Sequence, residues 1–443
     1  MDRVRSGFDA VTILVNAMMN PGSACARQTL ELVRELAKTD QVELWTPRDQ
    51  PSLDPSIRHR RVDPHDAAIH KAAEFTGVIH VLSNDGRAVG VAEIARRIPG
   101  VVVLHDITLL LLMKATLHRT DGGTAALVDV ARAFHGPAVA AQLELDYIHP
   151  GTGIESPAVT QGAHFLEYFL SSATVVVTHS EWAAEWVRRA VCAPVLVARL
   201  PAGPYEQPSS AGTRTTTRAP IVVPGVVNRH KLVATAIEAY GRSGLAEGGH
   251  PFIVLGPCDG RLEAHLRLTA RREGVETHLV FMAPEADVDF LHVLADSLAV
   301  IVLRHWNTEA QSAAVLAGLL SGRPVIATDA GSVCDIPDDL LVKIPDAGPS
   351  ESTRVAVSEA LRGIADDEVA ARTMGTKACE WVRAHHTTEG YADVMRRALQ
   401  IGRERRVEIA IALQSTRALE GAGLLTDDAA VTACHDALRS LES

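Results

Sequence analysis

Residues 304–331, RHWNTEAQSAAVLAGLLSGRPVIATDAG, set one carboxylate, Glu309, and a few small residues between the apolar run SLAVIVLR and the start of a helix. Helix N-termini carry unpaired N–H groups and the positive end of the dipole, and Ala310, Gln311 and Ser312 leave room for a phosphate to approach that backbone. Glu309, at the loop edge, would accept hydrogen bonds from ligand hydroxyls; capping of the helix is the competing explanation. Lys231, in PGVVNRHKLVATAIEAY, lies at a strand-to-helix junction. From there it can neutralise a diphosphate as its bond to a sugar breaks, or simply stay solvated. Arg229 beside it is a second candidate. The run GVVVLHDITL ends on His105 and Asp106, at a strand's carboxyl end where a histidine touches substrate or belongs to a capped turn.

Other chemistries fit less well. Asp287 and Asp289 form a DxD in EADVDF, but the pair opens a helix, DFLHVLADSL, and N-terminal capping explains it. His385-His386 stands in a helical tail without further ligands nearby. The chain has no HExxH, GxSxG or GxxxxGK[ST], and NAMMNPGSACARQT follows the first strand where a dinucleotide fold would place GxGxxG. The six cysteines (Cys25, Cys192, Cys258, Cys334, Cys379, Cys434) are scattered, with no pair at CxxC spacing, and read as reduced thiols of a cytoplasmic protein.

The elements that must position these residues alternate. VTILVN, VELWT, GVIHVLS, GVVVLHD, TVVVTHS and PVLVARL are short apolar runs separated by helical patterns such as ARQTLELVRELAK and SEWAAEWVRRAV. Residues 201–220, PAGPYEQPSSAGTRTTTRAP, break the pattern as an interdomain linker would. The alternation then restarts with PIVVPGVV, PFIVLGP, THLVFMA, LAVIVLR, RPVIATD and LLVKIP, and from about residue 353 the chain reads as helix. Near-continuously apolar strands imply parallel sheets covered on both faces. The expectation is α/β: two doubly wound Rossmann-like domains facing a cleft, with a C-terminal helical extension. The boundaries are 1–205, a linker 206–219, 220–390, and C-terminal helices 391–443 partly packing back on the first domain.

A chain of 443 residues is long for one core, which suits two domains. The net charge of −11 argues against a nucleic-acid binder, and neither a signal peptide nor a membrane-length apolar run is present.

In this order, PGVVVLHD, VVTHSEWAAEWV, PGVVNRHK and LRHWNTEAQSAAVLAGLLSGRPVIATDAGSVCD resemble the GT-B glycosyltransferases, specifically the retaining, nucleotide-sugar-dependent family 4 group. The resemblance implies a metal-independent hexosyltransferase that needs no cofactor and takes a nucleotide-diphosphate sugar as substrate. Lys231 would hold the donor diphosphate, and Glu309 matches the first glutamate of the family's paired motif, near the donor sugar hydroxyls. Ala310, Gln311 and Ser312 match the loop whose amides cradle the diphosphate, and His105 the histidine that contacts the sugar. Met282 and Ala283 fall where backbone groups meet the nucleobase. Gly22 and Ser23 lie in the loop approaching the reacting centre, and Asn228, Arg229 and Arg304 complete the donor-binding set. Two positions depart from the pattern: Ala317 replaces the second, ribose-binding glutamate, and Val226 replaces the arginine after Gly225.

The expected acceptor is a small molecule or natural product, with a homodimer left open and no integral membrane segment. The Ala- and Arg-rich composition is of a kind associated with high-GC bacteria, where such enzymes decorate secondary metabolites. Two alternatives share the architecture: a sugar-nucleotide epimerase, and a degenerate transferase serving as nucleotide-binding or partner subunit.

Overall fold

The computed structural model describes residues 12–20, 23–48, 53, 55–119, 123–148, 162–202, 218–283, 287–305 and 307–421. Gly22, most of the expected linker, Cys434 and the last stretch, 422–443, lie outside the described residues.

Buried apolar runs become strands. The first sheet comprises β1 (Thr12–Asn16), β2 (Gln41–Thr46), β3 (His59–Arg61), β4 (Gly77–Leu82), β5 (Gly100–Leu104), β6 (Ala173–Thr178) and β7 (Val195–Val197). Their spatial order is β3-β2-β1-β4-β5-β6-β7, with every pairing parallel. Every residue of β4, β5 and β6 is buried, as strands covered on both faces must be. The second sheet, again parallel, comprises β8 (Ile221–Pro224), β9 (Phe252–Leu255), β10 (Leu279–Met282), β11 (Ala299–Val302), β12 (Val325–Asp329) and β13 (Val342–Pro345). Its order is β10-β9-β8-β11-β12-β13. The order reverses between β1 and β4 in one sheet and between β8 and β11 in the other. Such switch points open a crevice at the strands' carboxyl ends.

Both sheets are packed on two sides. Leu109, Leu112, Met113 and Phe169 cover one face of the first sheet. Tyr391, Ala392, Met395 and Ala398, from the helix Thr388–Gly421, help cover the other. The run ITLLLLM is therefore mostly core: Ile107, Leu109, Leu110, Leu112 and Met113 are buried, and Leu111 is exposed. In the second sheet, Tyr240 and Phe252 anchor one face, and Leu316, Leu319, Cys379 and Val382 belong to the other.

The domains meet through backbone as well as side chains. Asp106 and Glu309 form an isolated antiparallel bridge. Ile107 N–H donates to the Thr308 carbonyl at 2.8 Å, and Ala310 N–H to the His105 carbonyl at 2.8 Å. The Ser180 hydroxyl donates to the Ala310 carbonyl at 2.6 Å, and Trp182 N–H to Asp335 Oδ2 at 3.2 Å.

Candidate active site

On the second domain, β8 ends at Pro224 and the chain turns sharply at Gly225, where φ is +92°. A short 3-10 turn, Arg229–Lys231, then brings the Lys231 ammonium back beneath the turn. A Cβ on Gly225 would stand 2.5 Å from Lys231 Nζ, so only glycine serves here. Lys231 is 7 % exposed. Its ammonium donates to the Pro224 carbonyl at 3.4 Å and makes no ion pair with a carboxylate among the described residues. Burial lowers its pKa to about 8, Arg304 pushes the same way, and Glu309 opposes. Gly225→Ala is expected to cost about 1–3 kcal/mol through the positive φ alone, read as a lower urea midpoint. It also displaces the ammonium, so anion affinity falls as well.

Beyond β11 the loop folds on itself. Arg304 N–H donates to Thr328 Oγ1 at 2.9 Å, and the Arg304 guanidinium pairs with Glu309 Oε1 at 2.7 Å. Asn307 Oδ1 accepts from Glu309 N–H at 3.2 Å, while Asn307 Nδ2 donates to the Ala330 carbonyl at 3.3 Å. The N-cap of the helix Ala313–Leu320 is Ser312, whose side chain makes no capping bond. Its Oγ is buried without a partner among the described residues, as is Arg304 Nε. Glu309 is thus held by Arg304 and is not the helix cap. The helix start, with unpaired N–H groups, stands next to a buried cation.

The first domain contributes His105 and Asp106 from the end of β5. His179 Nδ1 lies 3.0 Å from the Ala198 carbonyl, which requires a proton on that nitrogen. Neutral His179 then offers Nε2 as acceptor to His105 Nδ1 at 3.2 Å, which leaves His105 Nε2 a lone pair. Burial, with His179 adding, holds His105 well below the usual histidine range; burial brings His179 down to about 4. His105 is therefore an uncharged hydrogen-bond acceptor, suited to a ligand hydroxyl. Asp106 Oδ2 accepts from Asn84 N–H at 2.7 Å. Burial pushes its carboxyl up to about 7 against that hydrogen bond, with the Glu309 carboxylate adding and Arg304 opposing.

Lys231, Arg304, Glu309, Ala310, Gln311, Ser312 and His105 are thus gathered at the junction of the two sheets' carboxyl ends. Gln311 Oε1 accepts from Leu200 N–H at 3.1 Å, tying this loop to the first domain. Asn228 and Arg229 lie exposed on the Lys231 turn. Met282 ends β10 with its side chain exposed; its carbonyl accepts from Gly256 N–H at 2.6 Å, and the exposed Ala283 follows. Ser23 is the N-cap of Ala24–Leu36 and makes no side-chain cap bond. Ala317 is half-buried on the helix after Ser312.

Three participants carry little sequence signal: His179, which sets the tautomer of His105; Asn307, which pins the Glu309 loop; and Asp106 as a neighbour of Glu309. Among the described residues one group offers metal-ligand side chains in proximity, His135, His164 and Glu167, in the first domain. Its ring nitrogens already accept backbone N–H groups at the start of the helix Leu166–Leu170: His135 Nε2 from Phe165 at 3.1 Å and His164 Nδ1 from Leu166 at 3.3 Å.

No protein-family profile matches the sequence. No curated protein matches it either. Solved structures do match. A crystal structure of HepE from Anabaena, in complex with UDP and glucose, superposes with a TM-score of 0.62 at 13 % identity, over 88 % of this chain and 99 % of that one. WaaG, a glycosyltransferase involved in lipopolysaccharide biosynthesis, gives 0.58 at 12 % identity, over 87 % and 99 %. Sucrose-phosphate synthase from Thermosynechococcus elongatus gives 0.57 at 16 % identity, over 90 % and 100 %. The architecture is that of GT-B glycosyltransferases: two parallel Rossmann-like sheets face each other, and a long C-terminal helix follows.

Proposed function

We propose that the protein is a glycosyltransferase that moves a sugar from a nucleoside diphosphate donor to a small-molecule acceptor, with retention and without a metal. The observation that carries this reading is Lys231, a buried ammonium beside a helix start; among the described residues it has no carboxylate partner and the Ser312 hydroxyl is equally unpartnered. Buried polar groups are costly unless paired, and a diphosphate pairs all of these at once. HepE, with the same fold, is a protein crystallised with UDP-glucose.

The donor would lie on the second domain with its sugar toward His105 and Asp106. Lys231 and the N–H groups at Ser312 would stabilise charge on the departing diphosphate, and the departing phosphate would take the acceptor's proton. His105 Nε2 would accept from a sugar hydroxyl, and Glu309, steadied by Arg304, from others. With its carboxylate paired to Arg304, Glu309 is not set as a covalent nucleophile, which supports a front-face displacement. Among the described residues no helix is long and apolar enough to cross a membrane.

Thermal melts with UDP, GDP, dTDP and ADP, each with and without EDTA, test the reading. A nucleotide at ~100 times its Kd should stabilise the protein by about 2.7 kcal/mol, indifferent to chelator. If no nucleotide moves the melt, the donor site is wrong. Binding without turnover on any acceptor would instead favour a nucleotide-binding partner subunit, a reading supported by Ala317 in place of a ribose-binding acid.

A further inference from the structure

Hinge-ward of the candidate donor site, a cavity of about 560 Å³ opens between the domains. Its wall toward the donor side is His179, whose other neighbour is His105, together with Gln311, whose amide oxygen is already held by Leu200 N–H. The remaining wall comes from the end of β7, the start of the helix Glu181–Ala190, the turn Gly331–Asp335 after β12, and the crossing between the helices Glu368–His385 and Thr388–Gly421. None of the donor chemistry above uses Arg199, Trp381, His386 or the free oxygen of Asp335.

These groups have unmet hydrogen-bonding capacity of both kinds. His386 is 4 % exposed, and its Nδ1 lies 2.8 Å from the Leu200 carbonyl, so Nδ1 carries the proton. Its Nε2 is a buried acceptor with no partner among the described residues. Arg199 holds its guanidinium 5.5 Å from the centre of the Trp381 ring and pairs with no carboxylate among the described residues. Asp335 gives one oxygen to Trp182 N–H and keeps the other. The cavity thus joins the Trp381 ring, which His385 and His386 also meet at 5.1 and 5.2 Å between ring centres, to planar donors and acceptors at its rim.

That combination selects the ligand class. A phosphate or other dianion would meet one guanidinium but also the carboxylates of Asp335 and Glu181, which share the wall. A purely apolar ligand would leave His386 Nε2 unpaired. A neutral polyol suits these groups, because its hydroxyls donate to His386 and Asp335 and accept from Arg199. The volume falls in the range of small-molecule pockets. We propose that this cavity is a saccharide site separate from the donor site, taking a neutral mono- or disaccharide against Trp381. Because both domains line it, an occupant would favour the joined arrangement of the domains.

Glucose, sucrose and maltose are the probes, titrated to ~50 mM and followed by calorimetry and thermal melts, a range that reads millimolar dissociation constants. At least one should bind saturably, and Arg199→Ala and His386→Gln should each weaken it by about tenfold or more. Arg199 is exposed, so its variant tests the site without threatening the fold. Lys231→Ala should retain the binding, and excess UDP should not displace the sugar. Two outcomes overturn the proposal: no saturable binding of any probe, or binding that UDP displaces and Lys231→Ala abolishes. The second would place the sugar in the donor site and leave the hinge cavity to water. Because the saccharide is read with the donor lysine removed, failure of the donor-site reading leaves this result interpretable.

Discussion

Lys231→Met is expected to lower kcat/KM by about 10²–10³ while leaving the unliganded protein at least as stable as wild type at neutral pH. The two effects have one origin. Folding removes the ammonium from water and gives it only the Pro224 carbonyl in return. Its pKa falls from 10.5 to about 8, so between these values the unfolded chain binds more protons than the native one. Stability therefore rises as pH climbs from about 8 toward 10.5, and below 8 the whole cost of burying the charge is present. That cost is roughly 3 kcal/mol, and methionine, close in length and uncharged, relieves it.

A bound diphosphate reverses the balance by supplying the missing anion. Nucleotide affinity should accordingly weaken as pH rises above about 8 in wild type and be both poor and pH-indifferent there in Lys231→Met. Urea midpoints and nucleotide titrations from pH 7 to 9.5 check both statements. Near-normal turnover in the variant, or a clear loss of stability, would remove Lys231 from the role given to it.

Gly331→Ala should be the most damaging single methyl near the site. Gly331 has φ +63°, and a Cβ there would fall 1.7 Å from Asn307 Nδ2 and 2.9 Å from Asn307 Cβ. Moving the amide alone does not suffice, because the clash reaches the base of the side chain. Asn307 is 5 % exposed and bonds to both the Ala330 carbonyl and Glu309 N–H. Its expulsion releases the loop that holds Glu309 against Arg304. Backbone strain and overpacking together predict a loss of about 2–5 kcal/mol, with activity falling further than the fraction unfolded explains. A double-mutant cycle with Asn307→Ala separates the causes: removing the amide should recover most of the overpacking part and leave the φ strain and the 2.9 Å contact with the Cβ of residue 307. Strict additivity would show that the clash is not what matters.

The strands were legible wherever burial made them apolar. Each of the twelve apolar runs named above, from VTILVN to LLVKIP, contains a strand; the exception, β3, is the exposed edge HRR, with no apolar residue to signal it. Lys231 and Glu309 stood out because local grammar places them at strand ends, and the helix entry after Glu309 follows from its small residues. What stayed illegible depends on pairing across long sequence separation. His179 sits one residue before a helix cap in VVTHSEW, and nothing local says that its ring meets His105, 74 positions earlier. The Asp106–Glu309 bridge is a backbone contact between domains and so has no residue signature. Asn307 reads as an ordinary loop asparagine until the Gly331 turn closes over it.

The helix Thr388–Gly421 belongs by contact to the first sheet. Tyr391, Ala392, Met395 and Ala398 complete the core beneath β1 and β4–β6, Leu399 packs on Gly77, and Arg406 donates to the Phe75 and Ala72 carbonyls at 2.7 and 2.8 Å. On the ribosome this inverts the order of completion. The strands of the first sheet emerge early, with Leu32, Val33 and Leu36 at hand to cover part of this face, but the rest of its cover waits until the whole second domain has been made, roughly 10–40 s later at ordinary elongation rates. The second domain, whose core is built from residues 218–382, closes first. A partly uncovered apolar face waiting that long is a natural client for a holding chaperone, and the newborn chain is most exposed to aggregation in its oldest part.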